Sequence, residues 1–120
     1  MTTVTGSLSV SFYLKLQGSS GLEMDIPFLL DTGFSEALSL PLSWLNALQF
    51  PFASSDQIIL ADGRPVSVNV HRGRVIWDGK EKEVAIHCLE GDPLLGMSLM
   101  LNYLLIVPVQ ENALVTLAPI

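Results

Sequence analysis

Asp31-Thr32-Gly33 is where residue types and spacing in this sequence converge on chemistry. It follows Ile26-Pro27-Phe28-Leu29-Leu30, an apolar run broken only by Pro27, so an ionisable side chain stands at the end of a segment that should be buried. A carboxylate there must be paired, hydrogen-bonded or pushed to a high pKa, because burying a free charge is costly. Thr32 offers a hydroxyl for a local hydrogen bond, and Gly33 lets the backbone turn and approach a neighbour closely. The same tripeptide also reads as an ordinary turn opened by an Asp after a strand. The residues alone leave both readings open.

The other chemistry-bearing residues point to structure. His71 and His87 are separated by a hairpin, with no Cys or carboxylate at ligand spacing, so no metal is expected. Cys88 sits in a strand pattern and reads as a buried, inert thiol. Ser39 and Ser43 lack a nucleophile-elbow context. Trp44 and Trp77 read as core or interface aromatics.

The elements that must position Asp31 are mostly strands. Leu8 to Leu16 largely alternates apolar and polar residues, with a slip at Phe12-Tyr13, which is the period of a half-buried strand. A turn over 17–21 returns the chain along Leu22 to Leu30, straight into Asp31. An extended piece, Glu36 to Leu40, precedes a predicted short helix from Pro41 to about Leu48. Ser39 is its candidate cap, and Leu42, Leu45 and Leu48 are placed on one face. Gln57 to Ala61 and Pro65 to Val70 flank Asp62-Gly63. Arg74 to Trp77 and Glu83 to Cys88 flank Asp78-Gly79. Asp-Gly between β-rich runs is a strong hairpin signal. After Leu94-Leu95-Gly96, one or two helical turns are expected over Met97 to Asn102, then a last hairpin of Leu104 to Val109 and Ala113 to Leu117. The count is about eight strands, mostly antiparallel, with one or two short helices: a mostly all-β single domain.

Composition sets the bounds. The 120 residues suit one core. Hydrophobic residues are 49% and charged residues 15%, against about 25% charged in an ordinary soluble domain, which excludes a disordered chain. The longest apolar stretch, Tyr103 to Val109, contains Pro108 and falls short of the roughly 18 residues of a membrane span. Net charge is −6 and the nearest thing to a basic cluster is Arg72 with Arg74, so neither nucleic acid nor membrane is an expected partner. Cys88 is the sole cysteine and no signal-peptide pattern opens the sequence, so a reducing, cytoplasmic location is the expectation.

Asp31-Thr32-Gly33 after Phe28-Leu29-Leu30, followed later by Leu94-Leu95-Gly96, resembles the signature of the aspartic proteases. The likeness is nearest to the retroviral-type (retropepsin-like) members, and among them to small single-domain bacterial ones. It covers roughly Leu8 to Val109, in the family's order. It implies an antiparallel β-barrel of the acid-protease type, closed or partly open, with a flap hairpin at about Ile58 to Val68. It implies Asp31, Thr32 and Gly33 as catalytic residues, and Phe34, Ala61, Asp62, Gly63 and Leu95 as substrate-binding ones, with no metal or cofactor. Leu94-Leu95-Gly96 would thread under the catalytic loop. Thr32 would bond across a dimer axis, and the Gly33 carbonyl would meet the substrate backbone. Three departures stand out: Phe34 where many members have a small residue, Met97-Ser98 where retroviral members often have Arg and then Asp or Asn, and a flap tip of Asp62-Gly63-Arg64-Pro65 rather than a glycine-rich run.

The reaction needs two carboxylates sharing one proton. With one Asp-Thr-Gly in the chain, the second carboxylate must come from another copy. The expectation is a homodimeric aspartic endopeptidase acting on polypeptide. The rival is a weakly active or inactive dimeric module of the same fold that binds or scaffolds.

Overall fold

The computed structural model describes residues 2–5, 9–59, 62–110 and 114–120. The expected strand starts at Leu8 and Ala113, and Leu60 and Ala61 of the expected flap, lie outside them. Among the described residues the chain is mostly β: β1 (Thr2–Thr5), β2 (Ser9–Gln17), β3 (Glu23–Leu30), β4 (Leu38–Leu40), α1 (Leu42–Ala47), β5 (Phe52–Ile59), β6 (Pro65–Trp77), β7 (Lys80–Cys88), β8 (Leu94–Leu95), β9 (Tyr103–Ile106) and β10 (Leu114–Pro119). No helix among these residues is long and apolar enough to cross a membrane.

The period-two pattern of β2 is cleaner in space than in sequence. Val10, Phe12, Leu14 and Leu16 are buried, while Tyr13, the apparent slip, is 68% exposed. Residues two apart share a face, so Tyr13 turns outward whatever its apolarity. Tyr13 pairs with Pro27 of β3. Beyond β3, the next strand begins pairing only at Leu29, so Pro27 stands where β3 has a free edge and a missing N–H costs little.

Strands pair in the order β5-β6-β7-β4-β8-β3-β2-β1-β10-β9, and β6 also meets β2 at Leu16↔Val75. That extra pairing closes β6, β7, β4, β8, β3 and β2 into a ring. Inside it lie Phe12, Phe28, Leu16, Ile26, Leu38, Leu40, Ile86 and Leu95, capped by Leu45 of α1 and Leu48 just after it.

Several expectations are corrected. Pro65–Val70 and Arg74–Trp77 are one strand, β6, rather than two. His71-Arg72-Gly73 continues the ladder against Val84–Ile86, and Gly73 packs so closely on Ile86 and Phe50 that a side chain there has no room. The buried side of β6 switches between Val70 and His71, where its partner β5 carries a register irregularity between Phe52 and Ser54. Met97–Asn102 is a run of turns, not a helix. In α1, Leu42 is exposed, so the buried face begins at Leu45. Ser39 does not cap α1. Its buried hydroxyl accepts the Leu94 N–H at 3.1 Å, while Glu90 Oε2 accepts the Leu42 N–H at 3.1 Å.

Candidate active site

The Asp31 loop is the connection from β3 to β4, and β8 lies between those two strands. On one arm Leu29↔Leu94 and Leu30↔Leu95 pair in parallel; on the other Leu38↔Leu95 and Ser39↔Leu94 pair antiparallel. Beyond the strands, Leu95 O accepts the Asp31 N–H at 3.0 Å, Ala37 O accepts the Gly96 N–H at 2.8 Å, and Phe34 O accepts the Met97 N–H at 2.8 Å. The loop is therefore stitched to 94–97 along both arms. Gly96 sits against the Glu36 carbonyl and the Phe34 ring; a methyl group there would overlap the Glu36 oxygen.

Asp31 is half-buried, and Thr32 and Gly33 are exposed. Asp31 Oδ1 accepts the Gly33 N–H at 2.9 Å, and Asp31 O accepts the Phe34 N–H at 3.1 Å. The carboxylate is thus oriented by its own turn and open to solvent. Phe34, 9% exposed, packs beneath the loop, edge-on to His87 with ring centroids 6.1 Å apart. Leu95 is wholly buried, so in the single chain it supports the loop rather than lining a surface.

Asp62 and Gly63 stand at the far end of the β5–β6 hairpin, whose last pairs are Ile58↔Val66 and Ile59↔Pro65. This is the hairpin expected over Ile58 to Val68. Ala61 lies outside the described residues. The side-chain bonds of Asp62 stay within the tip: Oδ1 accepts the Arg64 N–H at 3.0 Å and Oδ2 pairs with Arg64 Nε at 2.7 Å. The structure therefore joins Asp31, Gly33, Phe34 and Leu95 directly, whereas Asp62 and Gly63 belong to a separate hairpin.

Two surface hollows of about 350 and 360 Å³ lie elsewhere, one beside Arg72, Gly73 and Arg74, the other beside Trp77 and Tyr103. Neither is lined by the Asp31 loop. Cys88 is half-buried, and burial first, then the Glu90 charge, holds its thiol above the usual range, which disfavours the thiolate a nucleophile needs.

A second polar group escaped the sequence. His87 Nε2 lies 3.0 Å from Asp56 Oδ2, and Glu36 adds a carboxylate, the three ligand atoms falling within 4.8 Å of one another. Spacing along the chain could not show this, because loop, β5 and β7 bring the residues together only through the closed sheet. His71 is different: its Nδ1 meets the Phe50 carbonyl at 2.8 Å, an ordinary buried histidine contact.

No family model matches the chain, and neither a curated protein nor a solved structure matches it significantly.

Proposed function

We propose that the chain is a retropepsin-like aspartic endopeptidase, its ring-like sheet the acid-protease barrel, that hydrolyses peptide bonds as a homodimer. The observation that carries this reading is the Asp31 loop: a carboxylate oriented by Gly33, presented to solvent at the end of β3, and braced on both arms by Leu94-Leu95-Gly96. An ordinary turn needs no such brace. A carboxylate that must meet a second one at fixed distance does, because acid–base catalysis depends on placement within hydrogen-bond reach.

A twofold axis beside Asp31 would set two such carboxylates face to face. One takes a proton from water as its oxygen adds to the peptide carbonyl carbon; the other gives a proton to the carbonyl oxygen. The resulting diol collapses, the C–N bond breaks, and the leaving nitrogen takes a proton from the dyad. Thr32, exposed and without a hydroxyl partner among the described residues, is free to bond across the axis. The β5–β6 hairpin is the flap that excludes water. An apolar face suits a partner copy: Leu104 and Ile106 of β9 lie opposite Ala118 and Thr116 of β10, and with Leu114 they point outward. The chain would work in the reducing cytoplasm.

The test is cleavage of unfolded casein at mildly acidic pH, with and without a statine-type inhibitor. The rate should follow a bell in pH, since only the singly protonated pair is active. Asp31→Asn should abolish cleavage and still dimerise. In a tandem of two linked copies, Asp31→Asn in one copy should remove nearly all activity, because each missing partner costs roughly 10²–10⁴ in rate. Half-activity in that tandem, or undiminished cleavage by the full variant, overturns the shared dyad. A stable dimer that never cleaves would establish the scaffolding alternative.

A further inference from the structure

We infer that Glu36, Asp56 and His87 form a binding site for a divalent cation of the zinc type, tying the Asp31 loop to the base of the β5–β6 hairpin. The three residues come from separate elements and converge: loop 31–37, β5 and β7. His87 is 2% exposed, walled on one side by the Phe34 ring, with Nε2 directed at Asp56. Asp56 is itself aimed, since its Oδ1 accepts the Gln57 N–H at 2.8 Å and leaves Oδ2 for the imidazole.

One feature fails to fit a purely structural role, and it is charge. The Glu36 carboxylate has no hydrogen-bond or ion-pair partner among the described residues, and no Lys or Arg there pairs with Asp56. Two carboxylates therefore converge on one buried imidazole without a balancing cation. A divalent cation at Nε2 supplies that charge in place of the hydrogen bond to Asp56.

The donor set selects the ion. Calcium and magnesium prefer oxygen ligands throughout. One imidazole nitrogen with two carboxylate oxygens suits zinc, bound at about 2.0–2.2 Å, which places tetrahedral ligand atoms about 3.4 Å apart. The present spread, up to 4.8 Å, closes if the exposed Asp56 and half-buried Glu36 carboxylates turn inward while His87 stays fixed. Water would fill the fourth position.

The experiment is calorimetric titration of the apo chain with Zn²⁺ alone at neutral pH, in two buffers of different ionisation enthalpy. One site per chain is expected, with release of about one proton as the Nε2 proton leaves. His87→Gln, Asp56→Asn and Glu36→Gln should each weaken binding about tenfold or more, whereas His71→Gln and Cys88→Ser should bind as the parent does. The near-isosteric variants Asp56→Asn and Glu36→Gln, at an exposed and a half-buried position, keep the test decisive if His87→Gln does not fold. No binding by the folded parent, or unchanged affinity in Asp56→Asn and Glu36→Gln together, overturns the site. So does loss of binding in Cys88→Ser, which would move the metal to the neighbouring thiol. None of these readouts depends on peptide cleavage.

Discussion

Asp62-Gly63 and Asp78-Gly79 are the same dipeptide, each between β-rich runs, yet they build different turns. At Asp78-Gly79 both residues have positive φ, 52° and 78°, and Trp77↔Lys80 is the last pair, the two-residue turn whose twist matches the strands. At Asp62-Gly63 only Gly63 has positive φ, 85°, and the last pair is Ile59↔Pro65, so the connection is longer. The carboxylates differ too. Asp78 accepts the Tyr103 hydroxyl of β9 at 3.0 Å, and the Tyr103 ring packs edge-on against Trp77. Among the described residues, the Asp62 side chain bonds only to Arg64, two residues on. One turn is tied to a distant strand; the other satisfies itself. That is the difference between a hairpin that belongs to the body and one that can move as a unit.

The largest expected effect follows from this. Gly63→Val and Gly79→Val carry the same intrinsic strain, since a β-branched residue resists positive φ and neither site has a neighbour within 4 Å to add a clash. At position 79 the strain cannot relax without unpairing Trp77 and Lys80, so urea unfolding should show a loss of about 2 kcal/mol. At position 63 the longer connection absorbs it, and global stability should stay close to that of the parent. Under the proposed function, Gly63→Val should still slow peptide cleavage by hampering flap closure. Equal losses of stability at the two sites would remove the distinction between the hairpins.

The dipeptide signal explains why so much of the β framework was legible and why its details were not. Asp-Gly marked both hairpins, alternation marked β2, and a turn followed by an apolar run marked β3, because turn chemistry and side-chain pattern are local properties. The apolar approach to Asp31 was equally plain. What no local rule contains is the company each residue keeps. Ser39 read as a helix cap because it precedes Pro41, but the strand it belongs to lies beside β8, where Leu94 presents an N–H. Leu42 read as buried from helical spacing, yet the helix spans only Leu42–Ala47 and turns its first residue outward. His87 read as partnerless because Asp56 and Glu36 are near it only through the sheet.

Tyr103→Phe is a smaller step along the same comparison. It deletes the hydroxyl that ties Asp78 to β9 and leaves the ring against Trp77. Asp78 is exposed and regains water, so the variant should lose less stability than Gly79→Val, with the loss measurable in the same urea series. The bond also predicts a direction for titration. Burial first, then the bond to Asp78, holds the Tyr103 phenol above its ordinary range. A proton held more tightly in the folded state supports folding below the ordinary phenol pKa and ceases to do so as pH rises through the raised one. Alkaline unfolding should therefore be less steep in Tyr103→Phe. An identical alkaline profile in the two proteins would mean that Asp78 is not tied to β9 in solution.

The smallest effect tests the self-contained turn. The Arg64 backbone N–H first, and its guanidinium second, hold the Asp62 carboxyl below its usual range. A carboxyl whose folded pKa is depressed supports the folded turn above the ordinary value of about 3.9, and that support goes as pH falls through the lowered value. The pair is exposed, so the melting temperature should barely register the change in acid. The turn itself should register it. A side-chain NMR titration of Asp62 should show a midpoint below that of a free carboxyl. Because the backbone donor dominates, Arg64→Ala should return the midpoint only part of the way. A full return would make the guanidinium the main partner and the turn dependent on a flexible side chain. A midpoint already at the ordinary value in the parent would mean that the Asp62 tip is not closed on itself, and the contrast with Asp78 would fall with it.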